Sequence, residues 1–505
     1  MTSLLRTQFH QSDIVRRSVA TFVVAVALIA STLGQSLVGA APNGPPVSVV
    51  VSRVESADGA VVRAIRDLGG RIEQNLPIVE GFAAVVPASA VSALRSVPGV
   101  RAVVPNANVQ MHGQYGEGSG VASAVYSEAV RAPQAWSAGW GGQGVGVAII
   151  DTGINATGDL AGKVAHAEDF TAEHDNVDGY GHGTFVAGLI AGSGAGSNGA
   201  VQGVAPGSHL VSVKIAGRDG STDVVRLLAA LQWVVTFKDV YGIRVLNLSL
   251  GVDSAQDYRT DPLNFAIERV WNAGIVVVTA AGNGGTASGT IAKPGDDPLV
   301  ITAGAADDHT TPAQDDDTLA AFSGTGPTAS NGLAKPDLLA PGKSVISLRS
   351  PGSTIDVGAP GARIGDAYFK GSGTSFSSAI TAGTAALVLS RTPQLTPNQV
   401  KGRLAATGRR MPDVPPASAG AGELDAGAAV SSDVVSEANT GVVAAGRGGA
   451  LPGVRSAACG RTDTGSCPGD AAAAGARGFN ATEYFGSQWA GSQWAGSQWA
   501  AGIWS

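Results

Sequence analysis

Five short runs rich in valine and isoleucine punctuate the middle of the chain: 145–150 (VGVAII), 211–215 (VSVKI), 245–249 (VLNLS), 275–279 (IVVVT) and 299–302 (LVIT). Each is mostly apolar on both of its alternating faces, so as a strand it must be covered from above and below. Stretches with helical spacing lie between them, at 184–191, 224–238 and 262–272, and a longer one follows at 375–391. Doubly buried strands separated by helices leave few architectures open. The pattern predicts an α/β domain with a mainly parallel sheet and helices on both faces.

Composition narrows the setting. Of 505 residues, 44% are hydrophobic and only 14% charged, which suits a globular exported protein with a low-charge surface. The net charge is -7 and no basic tract interrupts the chain, which argues against a nucleic-acid partner. Arg16 and Arg17 precede an apolar run at 19–30, and Val38, Gly39 and Ala40 supply small residues for a cut. This reads as a signal peptide over 1–40, because the run is short for a membrane span of about 20 residues. The Arg pair alone does not decide the export route. The two cysteines, Cys459 and Cys467, have no zinc spacing. They form one local disulfide or stay free, and no catalytic role falls to them.

Residues 45–111 read as a separate unit. A strand at 47–51, a helix at 57–68 stopped by Gly69 and Gly70, a hairpin over 71–86, a helix at 88–96 and a strand at 100–104 make a β-α-β-β-α-β order. That is a ferredoxin-like α+β fold. A glycine- and serine-rich connector follows at 112–124, and the large domain spans 126–430. Beyond it, 431–505 is rich in alanine and glycine, loses periodicity and is expected to be disordered. It ends in Gly-Ser-Gln-Trp-Ala repeated three times at 486–500, a string of aromatic contacts that suggests adhesion to the cell envelope or a partner protein.

Four loops at the expected C-terminal ends of the strands, where open α/β sheets place their sites, carry polar residues. Asp151 directly follows a buried strand, and such a carboxylate is costly unless a positive or hydrogen-bonding group meets it. His182 stands between glycines at the start of an apolar helix, Asn283 lies in a glycine-rich strand end, and Ser375 opens the helix at 375–391. A backbone N–H at a helix N-terminus suits a developing oxyanion. Taken singly, each has an ordinary use as a cap or turn residue. His166, Glu168, Asp169, His174 and Asp175 cluster in sequence, but their spacing fits no tight metal-ligand set.

Taken together, the order Asp, His, Asn, Ser over 126–430 resembles the subtilisin-like serine peptidases, the subtilases. It differs from the chain order of α/β-hydrolases and of chymotrypsin-like enzymes. The resemblance implies Ser375 as nucleophile, His182 as general base and Asp151 as its orienting acid, with the Asn283 amide in the oxyanion hole. It further implies that Ser249, Leu250 and Gly251 line one wall of the primary specificity pocket and Ala280, Ala281 and Gly282 the other, suited to a large apolar side chain. Asp219, Gly220 and Ser221 would begin the segment that pairs with extended substrate.

Two positions depart from the family pattern: Phe376-Ser-Ser-Ala-Ile follows the serine where Met-Ala-x-Pro-His is usual, and Phe185 stands where a second histidine is usual. Ser372, Ser377 and Ser378 match no catalytic position. The N-terminal unit resembles the inhibitor and chaperone propeptides of the same family, which implies a secreted zymogen acting on protein or peptide substrates and held by its own propeptide. The chemistry requires no cofactor. Calcium is common in the family, yet loop 193–201 supplies no carboxylate cage, so structural calcium has no assigned site. The rival reading is a weakly active scaffold that binds peptides or envelope polymers.

Overall fold

The computed structural model describes residues 44–54, 57–111, 113–115, 124–252, 254, 256–442 and 444–445. The leader, both cysteines and the tryptophan repeats lie outside the described residues.

In the N-terminal unit, strand Pro46–Arg53 alternates its valines between two faces. Val49 and Val51 pack with Val61, Ile65 and Leu94 of the unit's own two helices, Asp58–Asp67 and Ala90–Arg95, whereas Val50 belongs to the core of the large domain. The sheet runs Arg71–Leu76, Gly81–Pro87, Pro46–Arg53, Val100–Pro105, antiparallel throughout, which is the ferredoxin-like order. Gly81 has to be glycine, because a Cβ there would collide with the Val51 carbonyl across the ladder. Between the hairpin strands, the turn Pro77–Val79 pushes Ile78 and Val79 between helices Val224–Phe237 and Pro262–Asn272 of the large domain. Glu80, next in the chain, bridges Arg101 of its own unit at 3.1 Å and Arg269 of the large domain at 2.8 Å.

The large domain is built on the expected sheet. Its order is Thr318–Leu319, Ile301–Asp307, Val276–Ala280, Ile243–Leu248, Gly146–Asp151, His209–Lys214, Val164–Asp169, with Leu338–Pro341 also beside Ile301–Asp307. All pairings are parallel except that of the short Thr318–Leu319. Strand Gly146–Asp151 has neighbours that follow it on either side, so the strand order reverses there, and Asp151 is its last residue. Helix Thr374–Arg391 is buried almost throughout and packs on the central strands and on helix His182–Ala191.

Sequence reasoning missed Val164–Asp169, an edge strand whose charged residues leave no two-faced apolar run, and the four-residue Leu338–Pro341. Residues past 430 dock on the domain: the Arg403 guanidinium donates to the Val434 carbonyl, Asn439 to the Leu299 carbonyl, and the Ala445 N–H to Glu268. Each of these bonds pairs one side chain with a backbone group, and such pairings leave no trace in composition.

Candidate active site

Asp151 and His182 meet at the C-terminal edge of the sheet. The His182 Nδ1 lies 2.8 Å and 2.9 Å from the two Asp151 carboxylate oxygens, and both side chains are buried. A carboxylate can only accept, so Nδ1 carries a proton, and in the neutral imidazole Nε2 presents its lone pair. Nε2 is buried and has no hydrogen-bond partner among the described residues. The Thr152 N–H also donates to Asp151 at 2.8 Å, which fixes the carboxylate's plane.

Ser375 sits in the first turn of helix Thr374–Arg391, where a helix leaves its N–H groups without intrahelical acceptors. Its hydroxyl donates to the Ser249 carbonyl at 2.8 Å, and the Ser249 hydroxyl returns a bond to the Ser375 carbonyl at 2.8 Å. The neighbouring serines are occupied differently. Ser377 donates to the Ala340 carbonyl, Ser378 to the Ser375 carbonyl, and Ser372 accepts from the Ser344 N–H. The Ser378 hydroxyl also lies 3.0 Å from the Ser249 hydroxyl, but of these serines it is Ser375 whose hydroxyl bonds to the Ser249 carbonyl of the wall formed by Ser249, Leu250 and Gly251.

Asn283 is oriented by Thr374. Its Oδ1 accepts both the Thr374 N–H at 3.0 Å and the Thr374 hydroxyl at 2.9 Å, so the amide NH2 is turned the other way. The Thr374 hydroxyl also accepts the Gly282 N–H, which stitches the Ala280, Ala281 and Gly282 wall to the helix that carries Ser375. Gly282 has φ +98°, and a Cβ there would come within 2.9 Å of the Ala292 methyl.

The cleft is filled by the chain itself. Strand Asn108–Met111 lies between two segments of the large domain, with Val109 opposite Thr222 and Asn108 opposite Asp223 on one side, and Met111 opposite Leu250 and Gln110 opposite Gly251 on the other. Gly220 and Ser221 form the turn that leads into Thr222 rather than the paired residues themselves. Past residue 112, Gln114–Tyr115 pairs with Gly371 and Ser372. At Gly113 a Cβ would lie 3.1 Å from the His182 ring.

Three positioning residues escaped the sequence reading. Asp178 is buried and accepts from the Gly181 N–H, the Thr184 N–H and the Thr152 hydroxyl, so it caps the helix that begins at His182. Burial pushes its carboxyl above the usual range, and these donors hold it back. Thr152 passes the connection on by accepting the Gly183 N–H. Thr374 is the third. The only signal was an acid four residues before the histidine, in a loop where acids are common.

The acidic run near His166 is not a metal cage. Asp169, Glu173 and Asp175 surround the buried Lys214 ammonium, with Glu173 and Asp175 each at 2.7 Å and the Val177 carbonyl at 2.7 Å. Burial would lower the Lys214 pKa, and the bonds to Asp175 and Glu173 raise it above its ordinary value instead. Nor does loop 193–201 fit calcium. Asp159, which faces it, already takes the Gly196 N–H and the Ser193 and Tyr368 hydroxyls.

Comparison with known proteins agrees with this architecture. The Subtilase family model matches residues 142–425, and a peptidase inhibitor domain model matches residues 24–106. The chain belongs to the subtilase family. It is similar to serine protease AprX of Bacillus subtilis, at 43% identity over 56% of this chain and 66% of that protein, just under two thirds of the relative's length. It is also 34% identical to subtilisin DY of Bacillus licheniformis, over 56% of this chain and 90% of the relative. Among solved structures, the fold is similar to fervidolysin from Fervidobacterium pennivorans, described as a keratinolytic enzyme related to subtilisin. The TM-score is 0.60 at 21% identity, covering 77% of this chain and 61% of that one.

Proposed function

We propose that the protein is a secreted serine endopeptidase made as a zymogen. One observation carries the reading: strand Asn108–Met111 and strand Gln114–Tyr115 both pair with the large domain in the cleft, with Met111 opposite Leu250 and Gly113 beside the His182 ring. A substrate bound by strand addition would take the same path.

In the mechanism, Ser375 Oγ turns from the Ser249 carbonyl toward His182 Nε2. As Oγ bonds to the scissile carbonyl carbon, its proton passes to Nε2, and Asp151 stabilises the resulting imidazolium. The negative oxygen of the tetrahedral intermediate is met by the Asn283 amide and the Ser375 N–H. The imidazolium gives its proton to the leaving amine as the C–N bond breaks. A water then attacks the acyl-enzyme, passes a proton to Nε2, and Oγ leaves with that proton. In the full-length chain the N-terminal unit blocks this path by holding its own strand in the cleft, as a propeptide.

A fluorophosphonate probe on processed protein tests the reading. Labelling that disappears in Ser375→Ala supports it, and absence of labelling in the unsubstituted protein makes the chain a binding scaffold instead. N-terminal sequencing should place the cut between Met111 and Gly113 and find the N-terminal unit still attached in Ser375→Ala. For the tail, deleting residues 484–505 should shift protein from the envelope fraction to the medium, and equal partitioning rejects the adhesion role.

A further inference from the structure

The two departures from the family pattern, Phe185 and Phe376, face each other with ring centroids 4.4 Å apart. They form one surface with Phe369, and all three rings are buried. Into this surface goes Tyr115. Its ring meets Phe185 edge-on at 5.7 Å and 78°, Phe369 at 5.6 Å and Phe376 at 5.9 Å. Edge-to-face and tilted packing at these distances is favourable beyond the area it buries. Gly371 leaves the room: a Cβ there would come within 2.9 Å of the Phe376 ring and 3.0 Å of the Tyr115 ring.

The pocket also constrains the residue beside the catalytic histidine. A Cβ on Gly113 would lie 3.0 Å from the Tyr115 hydroxyl, 3.1 Å from the His182 ring and 3.3 Å from the Phe376 ring, so a side chain there competes with the tyrosine. The hydroxyl itself is buried with no hydrogen-bond partner among the described residues. Recognition of Tyr115 therefore rests on its ring.

We propose that Phe185, Phe369, Phe376 and Gly371 form a subsite on the leaving-group side of the scissile bond. It selects peptides with glycine near the cut and an aromatic ring two residues further on, and Gly113-Gln-Tyr115 is its internal ligand. The proposal rests on the reading of strands Asn108–Met111 and Gln114–Tyr115 as substrate-like. Because the phenol gives up water without gaining a partner, phenylalanine should be accepted at least as well as tyrosine.

The test uses matured enzyme and internally quenched peptides of sequence NVQMHGQXGE, with X as Tyr, Phe, Ala or Asp. We expect Phe to equal or exceed Tyr in kcat/KM, and Ala to fall about 10- to 100-fold, mainly through KM, as for loss of a buried aromatic anchor. Phe369→Leu, away from the nucleophile, should compress the Tyr-to-Ala ratio. Equal kcat/KM for the Tyr and Ala peptides overturns the subsite.

A second arm needs no turnover. In full-length Ser375→Ala, cleavage after Glu117 by an added glutamate-specific protease should accelerate about 10-fold on Tyr115→Ala and stay unchanged on Tyr115→Phe. Cleavage that is indifferent to Tyr115→Ala also overturns the subsite. A protein that neither labels with fluorophosphonate nor cuts peptides sinks the peptidase reading alone, and the proteolysis arm still decides the subsite.

Discussion

The two folded parts of this chain bury their cores differently. The large domain covers both faces of its sheet with its own helices, and the strands from Gly146–Asp151 to Ile301–Asp307 are buried along nearly their whole length. The N-terminal unit covers only one face of its sheet. Its helices close over Val49, Val51 and Phe82, while Val50, Leu76, Ala83 and Val104 on the other face are completed by the large domain. A sheet of this size with one apolar face open is marginal by itself, since a unit of about 60 residues buries only about 60% of the surface its unfolded chain exposes. The difference suits the proposed roles: a self-contained enzyme, and a propeptide that is fully folded only while it sits on that enzyme.

Four substitutions test this division, the largest effect first. Ser375→Ala should lower peptide turnover by about a millionfold, the size of loss measured in subtilisin and borrowed from that relative, while leaving the melting temperature of the large domain unchanged. Turnover within tenfold of the unsubstituted enzyme would place the chemistry elsewhere. Asn283→Ala should cost about 100- to 1,000-fold in kcat with little change in KM, again the subtilisin magnitude. A rise in KM alone would mean that the amide binds substrate rather than the oxyanion.

On the other side of the comparison, Ile78→Asp places a charge between helices Val224–Phe237 and Pro262–Asn272. It should weaken inhibition of the mature enzyme by the separately supplied unit about 100-fold. Circular dichroism of the free unit should show a broad, shallow melt that sharpens on adding Ser375→Ala enzyme, and a sharp melt alone would make the unit self-sufficient. The smallest effect belongs to Glu80→Gln. It breaks ion pairs to Arg101 and Arg269 that are open to solvent, and should weaken inhibition only about two- to fivefold, with the difference fading in high salt.

Much of the architecture was legible in the sequence, for reasons specific to each element. Runs such as 145–150 and 275–279 are apolar on both faces, and only a covered strand tolerates that. Helix Val224–Phe237 announces itself through its spacing, and the structure adds Asp223, whose carboxylate accepts the Arg226 N–H as an N-cap. Strand Val164–Asp169 was not legible, because an edge strand that contributes Asp169 to a buried lysine carries charges where a pattern search expects valine.

Of the site, Asp151, His182, Asn283 and Ser375 stand out by residue type at strand ends and a helix start, and their order along the chain singles out one family. Their orientation depends on partners far away in sequence. Thr374 turns the Asn283 amide across 91 residues, Ser249 holds the Ser375 hydroxyl across 126, and Asp178 caps the His182 helix only because the loop before it folds back. The same holds for Phe185 and Phe376, which in sequence are two separate departures from the family pattern and in space are walls for Tyr115. Sequence by itself determined which segments must be buried and which residue types stand at their ends, because hydrophobic periodicity is local. Only the tertiary structure decided which hydrogen bond each polar group makes and what fills the cleft, because those depend on separations of a few ångströms between distant segments.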